Sequence, residues 1–121
     1  MVKNPRLCLD GTNAKDVTQG RLGNCWFVAA CSVLAGSKEM WEGVVPDHKD
    51  QEYKEGGEVH PGVFRFRFWR FGKWVEVVVD DFLPCVVDGS GPDDETVELL
   101  FTHSSSKGEF WGSLLEKAYA K

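Results

Sequence analysis

Gln19-Gly20-Arg21-Leu22-Gly23-Asn24-Cys25-Trp26 runs directly into Phe27-Val28-Ala29-Ala30-Cys31-Ser32-Val33-Leu34-Ala35. The glycines at 20 and 23 permit a sharp turn. The apolar run behind it predicts a helix from Cys25, with Phe27, Ala30, Cys31 and Leu34 at three- and four-residue spacing and Gly36 as its stop. Nearly every residue of this helix is apolar or small, so burial on most sides is expected. A thiol then sits at a helix N-terminus, where N–H groups without intrahelical partners and the positive end of the dipole favour negative charge on sulfur. Gln19 lies upstream, across the glycine-bearing loop, from where its amide can fold back toward the same spot. A nucleophile beside an amide donor is half of an acyl-transfer site, and a general base is the other half.

The chain has 121 residues, a formal charge of −5, five Trp and eight Phe. This length bounds it to one domain with a modest core. The acidic balance, with Lys and Arg dispersed, argues against a nucleic-acid partner. No apolar window approaches the roughly twenty residues of a membrane span, and Met1-Val2-Lys3-Asn4-Pro5 has no apolar signal core. Cys8, Cys25, Cys31 and Cys85 form neither a CxxC pair nor a zinc-ligand spacing, so free thiols in a reducing, cytoplasmic setting are expected.

Outward from the opening stretch, residues 1–23 read as a polar, turn-rich loop. A second helix is expected over Lys38–Gly43, with Trp41 packing on the core. Val45–His60 reads as a mobile surface loop. Phe64, Phe66 and Phe68 alternate with Arg65, Arg67 and Trp69, and after Phe71-Gly72-Lys73 comes Trp74–Asp80, an antiparallel hairpin. Pro84 stops the second strand. Residues 88–96 are expected to be an acidic loop and Val97–Thr102 a short strand. A last helix begins near Glu109 with Phe110, Trp111, Leu114, Leu115, Ala118 and Tyr119 on one face. No later element is left to cover that face, so the chain reads as cut and prone to association.

Several motifs together resemble the calpains, calcium-dependent cytosolic cysteine proteases. Gln19-Gly20-x-Leu22-Gly23-x-Cys25-Trp26-x-x-Ala29-Ala30 is similar to their catalytic-cysteine motif. Gly62–Trp69, Gly72–Pro84 and Glu109–Lys121 look calpain-like in the same order, so the likeness covers about residues 9–121. The Trp41 to Glu52 stretch is more similar to calpains without EF-hand domains. The resemblance implies an α+β fold: the N-terminal half, or first subdomain, of a papain-like protease core, with a central helix beside an antiparallel hairpin. It makes residues 1–121 a partial catalytic domain, truncated before the half that carries His and Asn. Cys25 is then the nucleophile, with the Gln19 amide and the Cys25 N–H as oxyanion hole. It also implies a Ca²⁺ site outside any EF-hand, from the carbonyls of Leu9 and Gly11 and the carboxylates of Asp16 and Glu109. Hard oxygen donors of this kind suit calcium.

His48, His60 and His103 are the only histidines, and none lies in a motif resembling the calpain base, so all three are expected to be non-catalytic. A helix terminus contributes only about 0.3–1 kcal/mol toward a thiolate, and removing a triad member costs roughly four to six orders of magnitude in turnover. The isolated chain is therefore expected to be inactive until the missing second subdomain joins it. Two positions depart from the family pattern. Asn24 replaces a frequent Asp, with its amide expected to cap the helix. Ala14 replaces an arginine that helps couple calcium to the two halves, which leaves the calcium switch open. Two functions are compatible with these residues: part of an intracellular calcium-dependent endopeptidase making limited cuts in protein substrates, or a non-catalytic calpain-derived module binding calcium or proteins.

Overall fold

The computed structural model describes residues 5–8, 17–20, 23–54, 60–89, 95–106 and 108–121, with backbone alone at 88–89 and 95–97. In chain order these form α1 (Cys25–Ala35), α2 (Lys38–Val44), β1 (Val63–Arg70), β2 (Lys73–Asp80), β3 (Cys85–Gly89), β4 (Glu95–Leu99) and α3 (Trp111–Ala120). The fold is α+β, with three helices around an antiparallel hairpin, as the family resemblance implied.

β1 and β2 pair from Val63↔Asp80 to Arg70↔Lys73. Their turn, Phe71-Gly72, has φ of 50° and 77°, the left-handed pair that matches strand twist in a tight hairpin. Period-two alternation sends Phe64 and Phe66 fully into the core, joined from β2 by Val79. α3 packs against both strands and α2 against β1. Trp41 of α2 meets Trp111 of α3 edge-to-face, with ring centroids 6.2 Å apart.

α1 departs from expectation. It buries one stripe, Phe27, Cys31 and Ala35, while Trp26 is 56% and Val33 68% exposed. Side chains four apart share a helix face, and among the described residues that stripe is the part of α1 that is buried, with Val28 and Leu34 partly covered beside it. Uniform apolarity therefore overstated the burial.

α3 departs in the opposite sense. Its apolar face is covered rather than left open: Trp111, Leu114, Leu115 and Ala118 are buried. The cover comes from earlier in the chain. The Phe110 and Trp111 N–H groups donate to the carbonyls of Arg6 (3.1 Å) and Leu7 (3.1 Å), and Leu7 is itself fully buried. Tyr119, although half exposed, brings its ring against Trp26, Phe27 and Phe68. The described partners of this face come from segments distant in sequence, which no local pattern marks.

The stretch 45–54 is also more than surface loop. Val45 and Gln51 are buried. The Gln51 side chain lies along the β1 edge like a strand residue: Oε1 accepts from the Arg65 N–H at 2.5 Å, and Nε2 donates to the Arg65 carbonyl at 3.2 Å and to that of Pro46. The Glu52 carboxylate accepts from the N–H groups of Leu7 (2.5 Å) and Cys8 (3.0 Å), fastening the N-terminal segment.

Residues 88–96, expected as loop, hold strand at both ends. β3 and β4 pair from Cys85↔Leu99 to Gly89↔Glu95, and residues 90–94 lie outside the described ones. The expected strand 97–102 is thus shifted to Glu95–Leu99. Cys85-Val86-Val87 is too short an apolar run, directly after Pro84, to announce β3 by alternation. Among the described residues no cysteine is held in a disulfide.

Candidate active site

Cys25 is the first residue of α1 and is solvent-exposed. The Asn24 carbonyl accepts from the N–H groups of Phe27 (2.9 Å) and Val28 (3.3 Å), which opens the first turn directly beneath the thiol. N–H groups of a first turn are left without intrahelical acceptors, so this end of the helix offers donors to an anion.

The Asn24 side chain does not cap the helix as expected. It is buried, and its Nδ2 donates instead to the Glu116 carboxylate on α3. The other Glu116 oxygen accepts from the Thr102 N–H at 2.8 Å, and Ser113 Oγ donates to the Thr102 carbonyl at 2.6 Å. A cap is the natural reading of a polar residue before a helix, but it needs Oδ1 turned to the helix N–H groups, whereas here the amide is oriented by its Nδ2 bond to Glu116 and Oδ1 has no partner among the described residues.

Gln19 is exposed and follows Thr18, whose backbone bridges His103: Thr18 N–H to His103 carbonyl at 2.7 Å, and His103 N–H to Thr18 carbonyl at 3.0 Å. On its other side Gly20 lies against the 100–101 backbone, where a Cβ would approach the Leu100 carbonyl oxygen to 2.6 Å. Gln19 is therefore pinned from both neighbours to the segment 100–103. Residues 21 and 22, which join Gln19 to Gly23, lie outside the described residues.

Of the four expected calcium ligands, Glu109 is described; Leu9, Gly11 and Asp16 lie outside the described residues. Glu109 is 2% exposed, and its Oε2 accepts from Ser104 Oγ at 2.5 Å. Its backbone bridges Arg6 in parallel, so it stands beside the segment 5–8 that leads into residue 9. A buried carboxylate in that place fits a hard cation. Among the described residues no group of three or more His, Cys, Asp or Glu could hold a metal on its own.

The second thiol of α1, Cys31, is buried and is pushed up to about 12, first by burial and then by the negative charge of Glu116. That thiol stays protonated and inert at neutral pH. His60 uses both ring nitrogens structurally: Nδ1 accepts from the Gly62 N–H at 2.9 Å and Nε2 meets the Gln51 carbonyl at 3.0 Å, with the ring stacked on Phe64. His103 lies against the Phe101 carbonyl through Nδ1, and the His48 ring packs on Trp41.

Sequence reasoning missed Glu116 and the 100–103 segment as parts of this site. Glu116 sits between Leu115 and Lys117 like any helix-surface acid, and no periodicity marks it as buried. The adjacent Gly20 is the one signal, because a glycine beside Gln19 is what a close backbone approach requires.

An exposed cysteine opens a helix of a small α+β scaffold, and Gln19 is seated on the 100–103 segment. The family described as calpain family cysteine protease matches residues 1–121. The chain is 50% identical over 119 residues to calpain-5 of Mus musculus, an alignment covering 98% of this chain and 17% of that protein. It is 52% identical over 118 residues to calpain-5 of Caenorhabditis elegans (98% of this chain, 17% of the relative). Identity to the calpain-2 catalytic subunit of Bos taurus is 47% over 118 residues, covering 98% of this chain and 15% of the relative. The chain belongs to the calpain family of cysteine proteases, and its fold is that of the N-terminal subdomain of a calpain protease core. It spans 17% or less of the length of these three relatives.

Proposed function

We propose that residues 1–121 are the first subdomain of a calcium-dependent cysteine endopeptidase that makes limited cuts in intracellular protein substrates. The observation that carries this reading is the exposed Cys25 at the start of α1 in a chain of the calpain family. Cys25 Sγ, as thiolate, attacks the scissile carbonyl carbon. The carbonyl oxygen takes up negative charge and is met by the Cys25 N–H and the Gln19 amide. Collapse expels the amine, which takes its proton from a histidinium, and water then releases the acyl group from sulfur. The histidine, and the residue that orients it, come from a second subdomain of the same protein, so this part alone is inactive. The relatives' greater length supports that division. No helix among the described residues is long and apolar enough to cross a membrane, which is compatible with a cytoplasmic protease.

Calcium would be held by the Glu109 and Asp16 carboxylates with the Leu9 and Gly11 carbonyls. Bound there, the ion supplies charge neutralisation and fixes the segment before the cysteine. Glu109 itself fastens Ser104 and lies beside Arg6, ahead of that segment.

Two measurements on the full-length protein test this. Cys25→Ala should abolish calcium-dependent casein cleavage; cleavage at the parent rate rejects the protease reading. Glu109→Ala should remove the calcium-induced change in tryptophan fluorescence, since Trp111 lies two residues on. An undiminished response rejects the calcium site alone.

A further inference from the structure

We infer that Glu116 is a positioning residue that holds the two parts of the oxyanion hole, Gln19 and Cys25, in register through its two carboxylate oxygens. The inference rests on the catalytic roles proposed above for those two residues.

One oxygen accepts from Asn24 Nδ2, the residue immediately before Cys25. The other accepts from the Thr102 N–H at 2.8 Å. Thr102 directly precedes His103, whose backbone is paired in both directions with Thr18, the residue before Gln19. Gly20, on the far side of Gln19, rests on the Leu100–Phe101 backbone. A single side chain thus connects the start of α1 with the segment that carries Gln19, and it does so from α3, an element outside the catalytic motif.

The chemistry of this junction is directional. Both donors point at Glu116, and an ionised carboxylate is the one common side chain of that length that offers only acceptors. Asn24 and Glu116 are both buried, so water does not substitute readily for either bond. Among the described residues the Asn24 Oδ1 has no partner, so Glu116 supplies the hydrogen bond that fixes the amide. The proximity of Glu116 to α1 is felt at Cys31 as well, whose thiol its charge helps hold protonated. Oxyanion donors act only where charge develops, and small displacements of such groups forfeit much of the rate.

The test uses the full-length protein and three variants: Glu116→Gln, Asn24→Ala and the double variant Asn24→Asp/Glu116→Gln. In Glu116→Gln one of the two donors faces the new NH₂ group, so one bond is lost. In the double variant the direction is reversed and restored: the introduced amide at 116 donates through its Nε2 to the introduced carboxylate at 24, while its Oε1 still accepts from Thr102. Turnover of a peptide substrate, affinity for a peptide aldehyde whose adduct carries an oxyanion, and alkylation of Cys25 by iodoacetamide (by mass spectrometry) are compared. Alkylation develops no oxyanion.

Both single variants should lose about 10- to 100-fold in kcat and in aldehyde affinity, with KM and the alkylation rate within about threefold of the parent. The double variant should return to within about threefold. Unchanged kcat and aldehyde affinity overturn the inference. So does loss of alkylation in parallel with them, which marks general destabilisation, or failure of the double variant to recover. Should Glu116→Gln not fold, Asn24→Ala breaks the same connection with α3 untouched, and normal kcat in that variant is decisive against it. Retained cleavage in Cys25→Ala rejects the underlying protease reading instead.

Discussion

Gly20 rests against Phe101 so closely that a Cβ at position 20 would collide with the Phe101 carbonyl group. The obstruction is backbone, which cannot swing aside as a long side chain can. Because Thr18, two residues earlier, is paired with His103, the whole of 18–20 lies along 100–103 as a short ribbon. The stretch leading to Cys25 is therefore placed as much by the segment before α3 as by its own residues.

Gly20→Ala should force the two segments apart. Overpacking of this kind costs about 1–3 kcal/mol, and the expected signs are a lower melting temperature of the full-length protein and reduced kcat from the displaced Gln19. A variant with parent-like melting and turnover would show that 18–20 is not seated on 100–101. Gly23→Ala is the control, since among the described residues a Cβ there meets nothing within 4 Å.

The two thiols of α1 should behave as opposites. At pH 8, iodoacetamide should modify exposed Cys25 and spare Cys31 until the protein is unfolded. Cys31 rises from 9.0 to about 12 on folding and Tyr53 from 10.0 to about 12, each chiefly through burial. Between those values the unfolded chain loses protons that the folded chain keeps, so stability should be intact below about pH 9 and fall as pH climbs toward 12. Urea denaturation at a series of alkaline pH values reads the slope. Cys31→Ala and Tyr53→Phe should each make it shallower, and an unchanged slope in both contradicts the assignment.

The acid side should carry a smaller dependence of the other sign. The Asp80 carboxyl is held below its ordinary range by its hydrogen bond to Lys117, helped by the Phe82 N–H at 2.9 Å. A group depressed on folding contributes stability above its unfolded value, and that contribution fades as pH falls through the folded one. Because the pair is exposed it should be screened by salt. Asp80→Asn should lower stability modestly at neutral pH and low salt, with the difference vanishing in 1 M NaCl or at acid pH. A difference that survives both conditions points to the Phe82 turn rather than the charge.

Elements defined by their own periodicity were legible in the sequence. β1 and β2 announce themselves by alternating Phe and Arg and a Phe-Gly turn, and the sequence places α2 at Lys38–Gly43 with Trp41 on the core. The start of α1 at Cys25 was equally plain from the glycines before it. What could not be read depends on distant partners. Burial of α3 is settled by Leu7 and Trp41, the depth of the 45–54 loop by Gln51 pairing with Arg65, and the role of Asn24 by Glu116. Those contacts leave no local pattern. β3 failed for a different reason, since three apolar residues between a proline and an acidic turn fall below what alternation can detect. Cys25 and Gln19 stand out as candidates from one motif, whereas Glu116 and the 100–103 backbone, which touch the residues next to them, do not.

The pairing of 18–20 with 100–103, and of Asn24 with Glu116, also sets an order of events during synthesis. Contacts this distant in sequence form only after the intervening chain has been made and its loop closed, which is the slow part of folding. A ribosome-bound chain that has emerged only as far as α2 already contains the whole cysteine motif, and its helix can begin to wind. Yet it lacks the surface on which Thr18 to Gly20 are laid and the carboxylate that catches Asn24. The thiol of a nascent chain is thus present long before it is aimed, and the delay is written into the topology.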